Sequence, residues 1–286
     1  MYGLLDGRLV ADSIIRSLHM PYGAKMAIVL VGDDPASHVY VRNKIRVAES
    51  LGVFVDLHKC DSDITEDELI SLVDRLNNDD INGIIVQLPL PKHINASKVL
   101  NRVNPSKDID GLHPYNYGRL ILDDDLDHMM VPATPLGIYL LLKHYDIDTC
   151  GKRCVIVGRG LTVGTPLGIL LSKNVQYGNM TVTLCHSKTS DLKDNTLLAD
   201  VLVVATGVPY LVTADMVKPG VVVIDVGISR VPDSTNKSGV RIVGDVDFDN
   251  VKGGCSYITP VPGGVGPMTI AALMSNLCRA CSIQNA

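Results

Sequence analysis

Cys154-Val155-Ile156-Val157-Gly158-Arg159-Gly160-Leu161-Thr162-Val163-Gly164-Thr165-Pro166 decides the fold. A short β-branched apolar run meets glycines at 158, 160 and 164, and an apolar helical pattern, Leu167 to Leu171, follows at once. Strand, glycine turn and helix in that order place bare backbone N–H groups and a helix N-terminus where a pyrophosphate can bind. The spacing is G-x-G-x-x-x-G, one residue longer than the common dinucleotide fingerprint. A βα turn in any α/β protein also favours glycine, so the stretch taken alone supports the α/β class more firmly than the ligand.

Downstream, the residue following an expected strand at Thr181–Cys185 is His186, and then come Ser187, Lys188 and Thr189. An NAD site normally carries an Asp or Glu near this point to accept from the ribose 2′-hydroxyl. Here the side chains are a hydroxyl and an ammonium, with Arg159 in the glycine turn. Donors and cations suit a 2′-phosphate, which a carboxylate would repel. Ser187 and Lys188 could instead only cap the next helix; read as ligand contacts, they favour NADP over NAD as the cofactor. Further strands are expected at Arg153–Val157, Val201–Ala205, Val221–Val226 and Arg241–Val243. Helices are expected at Pro166–Lys173 and Leu192–Leu198, and a terminal helix of small and apolar residues over Thr269–Ser282.

Upstream, the first third reads βαβαβ, which predicts a parallel sheet covered by helices. Its strands are Met26–Val31, Val53–His58 and Ile81–Gln87. Ser37 is placed to cap a helix from His38 to about Leu51, and Thr65-Glu66-Asp67-Glu68 resembles a capping box for a helix reaching Asn77. A helix His93–Arg102 follows. Thr134 as cap and Pro135 as first residue are expected to open a helix to Tyr145.

The chain has 286 residues, 46% hydrophobic and 20% charged, with a net charge of −5. That length accommodates two domains. No cationic run is present, which disfavours a nucleic-acid partner. No stretch approaches 18 uncharged apolar residues, so no membrane span is expected and a cytoplasmic protein is. Seven scattered cysteines fit reduced thiols, and Cys278-x-x-Cys281 reads as helix packing. The cluster Asp123, Asp124, Asp125 and Asp127 reads as a solvated loop, and no metal is expected.

Several residues can carry chemistry. Tyr40 and Lys44 are four apart on one helix face. A buried lysine beside a tyrosine can serve as acid or base, although Arg42, Arg46 and Glu49 nearby also suit a solvated face. Gln87 closes a strand at its carboxyl end, the edge where ligands sit in open parallel sheets. Asp110 lies in a loop bounded by Pro105 and Gly111, either holding a heterocycle's amidine edge or shaping an Asx turn. The punctuated segment Thr259-Pro260-Val261-Pro262-Gly263-Gly264-Val265-Gly266-Pro267-Met268-Thr269 can bring bare backbone close to a ligand.

Together these pieces resemble the bifunctional methylenetetrahydrofolate dehydrogenase/methenyltetrahydrofolate cyclohydrolases, almost end to end. The resemblance is carried by Val31-Gly32-Asp33-Asp34-Pro35-Ala36-Ser37 with Tyr40 and Lys44, by Val86-Gln87-Leu88-Pro89-Leu90-Pro91 and by Lys107-Asp108-Ile109-Asp110-Gly111. It continues in Val157-Gly158-Arg159, Cys185-His186-Ser187-Lys188-Thr189, Gly244-Asp245-Val246 and Thr259 to Thr269. It implies that Lys44 transfers protons, Tyr40 positions the folate, Gln87 holds Lys44 in its working state and Asp110 binds the pterin. Val86, Leu88, Pro262, Gly263 and Gly264 would line the folate, and Gly158, Arg159, Gly160, Ser187 and Ile228 would contact NADP. The implied architecture is two parallel-sheet α/β domains. Residues 1–133 with 267–286 would form the folate-binding catalytic domain, the C-terminal helix returning to it, and residues 134–266 a Rossmann-type NADP-binding domain. The two reactions would meet in a cleft between them, in a homodimer serving one-carbon supply and purine biosynthesis. Two departures stand out: the family usually has Arg-Ser where Arg159-Gly160 stands, and a cysteine where Ala133 stands.

Overall fold

The chain opens with a two-residue strand, β1 (Gly3–Leu4), and an amphipathic helix, α1 (Gly7–Ser17). Strands and helices then alternate: β2 (Lys25–Val31), α2 (Pro35–Ser50), β3 (Phe54–Cys60), α3 (Glu66–Asn78) and β4 (Gly83–Val86). Helices α4 (Ala96–Leu100), α5 (Pro114–Leu122) and α6 (Ala133–His144) follow. A second alternation gives β5 (Arg153–Val157), α7 (Gly164–Ser172), β6 (Thr181–Cys185), α8 (Leu192–Leu197), β7 (Val201–Val204) and β8 (Val221–Asp225). The chain finishes with β9 (Ser229–Pro232), β10 (Val240–Val243), α9 (Phe248–Val251), β11 (Cys255–Ile258) and the long α10 (Val265–Gln284). These elements come from a computed structural model that describes residues 2–236 and 239–284. Contacts divide the chain into two compact units, Met1–Ser13 with Thr134–Thr269, and Ile14–Ala133 with Ile270–Ala286.

In the unit built on 14–133, the expected βαβαβ run makes a three-stranded, all-parallel sheet in the order β3-β2-β4. The central strand is an unbroken apolar run, Met26 to Val31, buried along its length as a parallel strand covered on both faces must be. Its core continues through Leu69, Val73 and Leu76 of α3 and Val99 of α4. Thr65 and Glu68 form the reciprocal capping box. At α2 the cap is Asp34, not Ser37: the Asp34 carboxylate accepts from the Ser37 N–H at 2.7 Å and from its hydroxyl at 2.8 Å. The helix therefore starts at Pro35, three residues before the expected position, with proline at its first turn, where no N–H is needed. Helix α4 is half the expected length because Asn95 caps it from inside the anticipated span. Helix α5, which the sequence pattern did not announce, has Pro114 in its first turn and the His113 ring as N-cap. Most of α10 lies in this unit, with Ala271, Ala272, Leu273, Met274 and Leu277 fully buried. The helix begins at Val265, earlier than expected.

The other unit holds a six-stranded, all-parallel sheet in the order β1-β11-β8-β7-β5-β6. Strand β5 pairs with β6 on one side and β7 on the other, so the winding reverses at β5, and its carboxyl end is the switch point where open α/β sheets bind ligands. Val155, Val157, Leu202, Val204, Val221, Val223 and Ile258 fill the core. The expected strand near 241–243 pairs antiparallel with β9 in a separate two-stranded sheet. Strand β1 adds to β11, and the Leu5 N–H continues the ladder to the Ile258 carbonyl at 2.9 Å. This pairing groups residues 1–13 by contact with 134–269 rather than with the rest of 1–133. Helix α6 starts at Ala133, so Thr134 lies inside its first turn instead of capping it, and the Thr134 hydroxyl accepts from that of Thr269 at 3.1 Å. Among the described residues no helix is long and apolar enough to cross a membrane.

Candidate functional site

On α2, Ser37, Val41, Lys44 and Ala48 form the buried stripe, while Arg42, Arg46 and Glu49 face solvent. The helical spacing thus turns Lys44 inward with the apolar residues, and only 6% of it is exposed. A buried ammonium or amine needs polar partners. Nζ of Lys44 donates to Oε1 of Gln87 at 3.2 Å and lies 3.9 Å from Oδ2 of Asp110. Tyr40, one turn earlier on the same helix, is half-buried, and burial raises its phenol above the ordinary tyrosine range.

Gln87 directly follows β4, and its backbone N–H continues the ladder to the Val29 carbonyl at 2.9 Å. Its side-chain nitrogen donates to the Leu88 carbonyl at 2.7 Å, which turns the amide oxygen toward Lys44. Val86 is buried and Leu88 half-buried beside it. Asp110 is brought to the same strand end by the loop before it, which bridges to β4 between Ile84 and Asp108. Gly111 has a φ of +72°, and a Cβ there would lie 2.6 Å from the Pro132 nitrogen, so the turn after Asp110 requires glycine. Asn276 of α10 locks this loop from behind by donating to the carbonyls of Ile109 and Val131, both at 2.8 Å. Buried Asp108 accepts from the His113 N–H and the Asn116 amide, and burial raises its carboxyl despite them.

In the other unit the glycine turn has the shape a pyrophosphate cradle needs. Gly158 has a φ of +120°, and a Cβ on it would overlap the Ala205 carbonyl oxygen; a Cβ on Gly164 would overlap the carbonyl of Gly158. Gly160 faces open space, so neither close packing nor a positive φ requires glycine there. Helix α7 begins without a side-chain cap at Val163; the Thr165 N–H turns back to the Gly160 carbonyl at 3.2 Å and Pro166 has no N–H, which leaves the Gly164 N–H of the first turn for a ligand. Arg159 and Ser187 are exposed, following the carboxyl ends of the paired strands β5 and β6. Ile228, after β8, is 41% exposed. The glycines, the uncapped helix and the cationic rim fit NADP. The punctuated loop is tied to the N-terminal segment: the Arg8 N–H donates to the Gly263 carbonyl at 3.1 Å, and a Cβ on Gly263 would sit 3.3 Å from Nε of Arg8. Pro262, Gly263 and Gly264 thus belong by contact to the unit of the glycine turn, whereas Tyr40, Lys44, Gln87 and Asp110 belong to the other.

Two residues at this sheet edge drew no notice as chemistry-bearing in the sequence. Asp225 ends β8 and Asp245 follows β10, and both are buried. Burial pushes the Asp225 carboxyl up to about 6, and the charge of Asp245 adds to the effect. The signal was the polar residue closing the apolar run Val221–Ile224, together with the Gly244-Asp245 pair. Among the described residues no group of His, Cys, Asp or Glu is placed to hold a metal ion, and all seven cysteines are free.

Residues 5–110 match the model of the tetrahydrofolate dehydrogenase/cyclohydrolase catalytic domain, and residues 132–285 match that of its NAD(P)-binding domain. The chain is 54% identical to the Bifunctional protein FolD of Amoebophilus asiaticus, the match covering 98% of this chain and 97% of that one. It superposes on the crystal structure of the bifunctional enzyme FolD, a methylenetetrahydrofolate dehydrogenase/cyclohydrolase from Campylobacter jejuni, with a TM-score of 0.89 and 43% identity, covering 99% of this chain and 100% of that one. The Trypanosoma brucei enzyme complexed with NADP cofactor and inhibitor gives a TM-score of 0.91 at 35% identity, covering 100% and 99%. The glycine turn at the switch point, the buried lysine and these end-to-end matches agree: this chain belongs to the tetrahydrofolate dehydrogenase/cyclohydrolase family.

Proposed function

We infer that this protein oxidises 5,10-methylenetetrahydrofolate to 5,10-methenyltetrahydrofolate with NADP and then hydrolyses the product to 10-formyltetrahydrofolate. The observation that carries the reading is the buried Lys44, held by Gln87 and facing Asp110 at the carboxyl end of β4. NADP, when bound, supplies the hydride acceptor.

The chain's own residues do the rest. Arg159 and Ser187 would hold the 2′-phosphate, the turn at Gly158 and Gly160 would receive the pyrophosphate, and Ile228 would pack against the cofactor. Tyr40 stacks on the folate, Val86 and Leu88 flank it, and Asp110 accepts from its pterin edge. The first reaction needs chiefly orientation. In the second, water adds to the methenyl carbon and releases one proton to solvent. Lys44 Nζ then takes the hydroxyl proton of the adduct and returns it to N5 of the folate as the C–N5 bond breaks, leaving the formyl group on N10. Gln87 keeps Nζ oriented while it gains and loses that proton.

Resemblance of the Thr259–Thr269 loop further assigns Pro262, Gly263 and Gly264 to the folate. By the same warrant residues 1–133 with 267–286 carry folate catalysis, 134–266 bind NADP, and the protein is a cytoplasmic homodimer; light scattering after size exclusion checks the dimer. Absorbance with methylenetetrahydrofolate and NADP tests the function. NADPH and methenyl or formyl product are expected, at a higher rate than with NAD. No signal with either cofactor would remove the dehydrogenase reading.

A further inference from the structure

Asp225 and Asp245 take no part in the chemistry above, yet they organise the sheet edge where the cofactor binds. Oδ2 of Asp245 accepts from the Thr206 N–H at 2.6 Å, the Thr206 hydroxyl at 2.9 Å and the Gly207 N–H at 2.8 Å. Oδ1 of Asp225 accepts from the N–H groups of Gly227 and Asp245, both at 2.9 Å, and its Oδ2 accepts from that of Val246, also at 2.9 Å. The two carboxylates thereby tie together the loops after β7, β8 and β10. Oδ1 of Asp245 is fully enclosed without a partner, and a Cβ on Gly227 would overlap it. Loops fixed in this way at the carboxyl edge of a parallel sheet, where ligands bind, give the two carboxylates a role in shaping a binding surface.

Strand order gives that role a direction. Across the sheet run β6, β5, β7 and β8. Ser187 follows the first, Gly158 the second, Thr206 the third and Ile228 the fourth. A dinucleotide with its 2′-phosphate at β6 and its pyrophosphate on the β5 turn lays its second nucleotide across the ends of β7 and β8. We propose that Asp245 and Asp225 are positioning residues for the nicotinamide half of NADP, fixing loops 206–208 and 226–228 as the surface against which that half lies. Ile228 is held in this surface by the Gly227 tie. The assignment rests on the NADP reading above.

The experiment is a pair of titrations, NADPH by fluorescence and 2′,5′-ADP by calorimetry, on the wild type and three full-length variants. Asp245→Ala is expected to weaken NADPH about tenfold while 2′,5′-ADP changes by less than about twofold, because the adenine half relies on Arg159 and Ser187. Asp245→Asn, which keeps an acceptor for the Thr206 and Gly207 N–H groups, is expected to restore NADPH binding to within about threefold of wild type. Thr206→Val, which removes the hydroxyl that donates to Asp245 and accepts from the Val208 N–H at 3.2 Å, is expected to weaken NADPH about threefold. The proposal is overturned if Asp245→Ala binds NADPH like the wild type, if it loses both ligands in equal proportion, or if Asn is as weak as Ala. Should Asp245→Ala fail to fold, unchanged NADPH binding by Thr206→Val overturns it. A wild-type protein that binds neither ligand would instead remove the NADP reading.

Discussion

Lys44 Nζ donates to Oε1 of Gln87 across 3.2 Å, while the carboxylate of Asp110 stands off at 3.9 Å. The hydrogen-bonded partner of the buried lysine is thus a neutral acceptor, and the negative charge lies beyond ordinary hydrogen-bond distance. A neutral acceptor orients the amine without fixing a proton on it. Gln87→Glu changes this balance alone, placing a carboxylate at 3.2 Å that holds the ammonium form. Cyclohydrolase activity should fall about 100-fold near pH 7, with the thermal midpoint little changed. Initial rates of methenyl hydrolysis across pH check this, and an unaltered neutral rate contradicts it.

The two glycines of the β5 turn should respond oppositely to substitution. Gly158→Ala forces a Cβ into the Ala205 carbonyl at a φ of +120°, so NADP binding should weaken by about tenfold or more. Gly160→Ser adds its side chain to open space and restores the family's usual hydroxyl. It should bind NADP about twofold to fivefold more tightly. Calorimetric titration of both variants decides; weaker binding by the serine variant would show that Gly160 is required after all.

The contrast between these glycines illustrates what the sequence disclosed. The β5 turn was legible because a β-branched run, glycine and an apolar helix follow in a fixed order, and strands β5 and β6 fell on the expected residues. Lys44 was ambiguous: arginines and a glutamate crowd the same helix, and only the stripe Ser37, Val41, Lys44 and Ala48 shows which way it turns. Strands β1 and β11 escaped notice because a two-residue strand has no period, and its pairing joins residues more than 250 apart. Helix α5 escaped because its start lies among His113 and Pro114, where a loop was equally natural. The carboxylate tie at Asp225 and Asp245 depends on three loops converging, which no local pattern encodes.

Asn276 donates two of the hydrogen bonds that hold the loop behind Asp110, accepts one from Arg279 at 2.9 Å, and is fully buried. Asn276→Leu keeps the volume but strands the carbonyls of Ile109 and Val131 without donors. The cost should be about 2–4 kcal/mol. Urea unfolding measures it, and a loss below about 1 kcal/mol would show that the loop finds other partners.

The Asp225 carboxyl should titrate near pH 6, well above the usual carboxylate range, because burial disfavours its charge. The folded state then holds this proton more tightly than the unfolded chain. The associated stability is fully present below about pH 4 and is lost as pH rises through about 6, amounting to about 3 kcal/mol. Carboxyl carbon NMR shifts of the folded protein provide the test, and a midpoint at or below 4 would contradict the burial argument.

The central claim is that Lys44 moves the proton that opens the methenyl ring, and Lys44→Met tests it most directly, because methionine fills the buried stem without a titratable nitrogen. The measurement is the decay of methenyltetrahydrofolate absorbance with enzyme alone, without cofactor. Hydrolysis by the variant should fall to the uncatalysed rate while the protein stays folded and still binds NADPH. A folded variant that hydrolyses the methenyl compound near the wild-type rate would remove Lys44 from the chemistry.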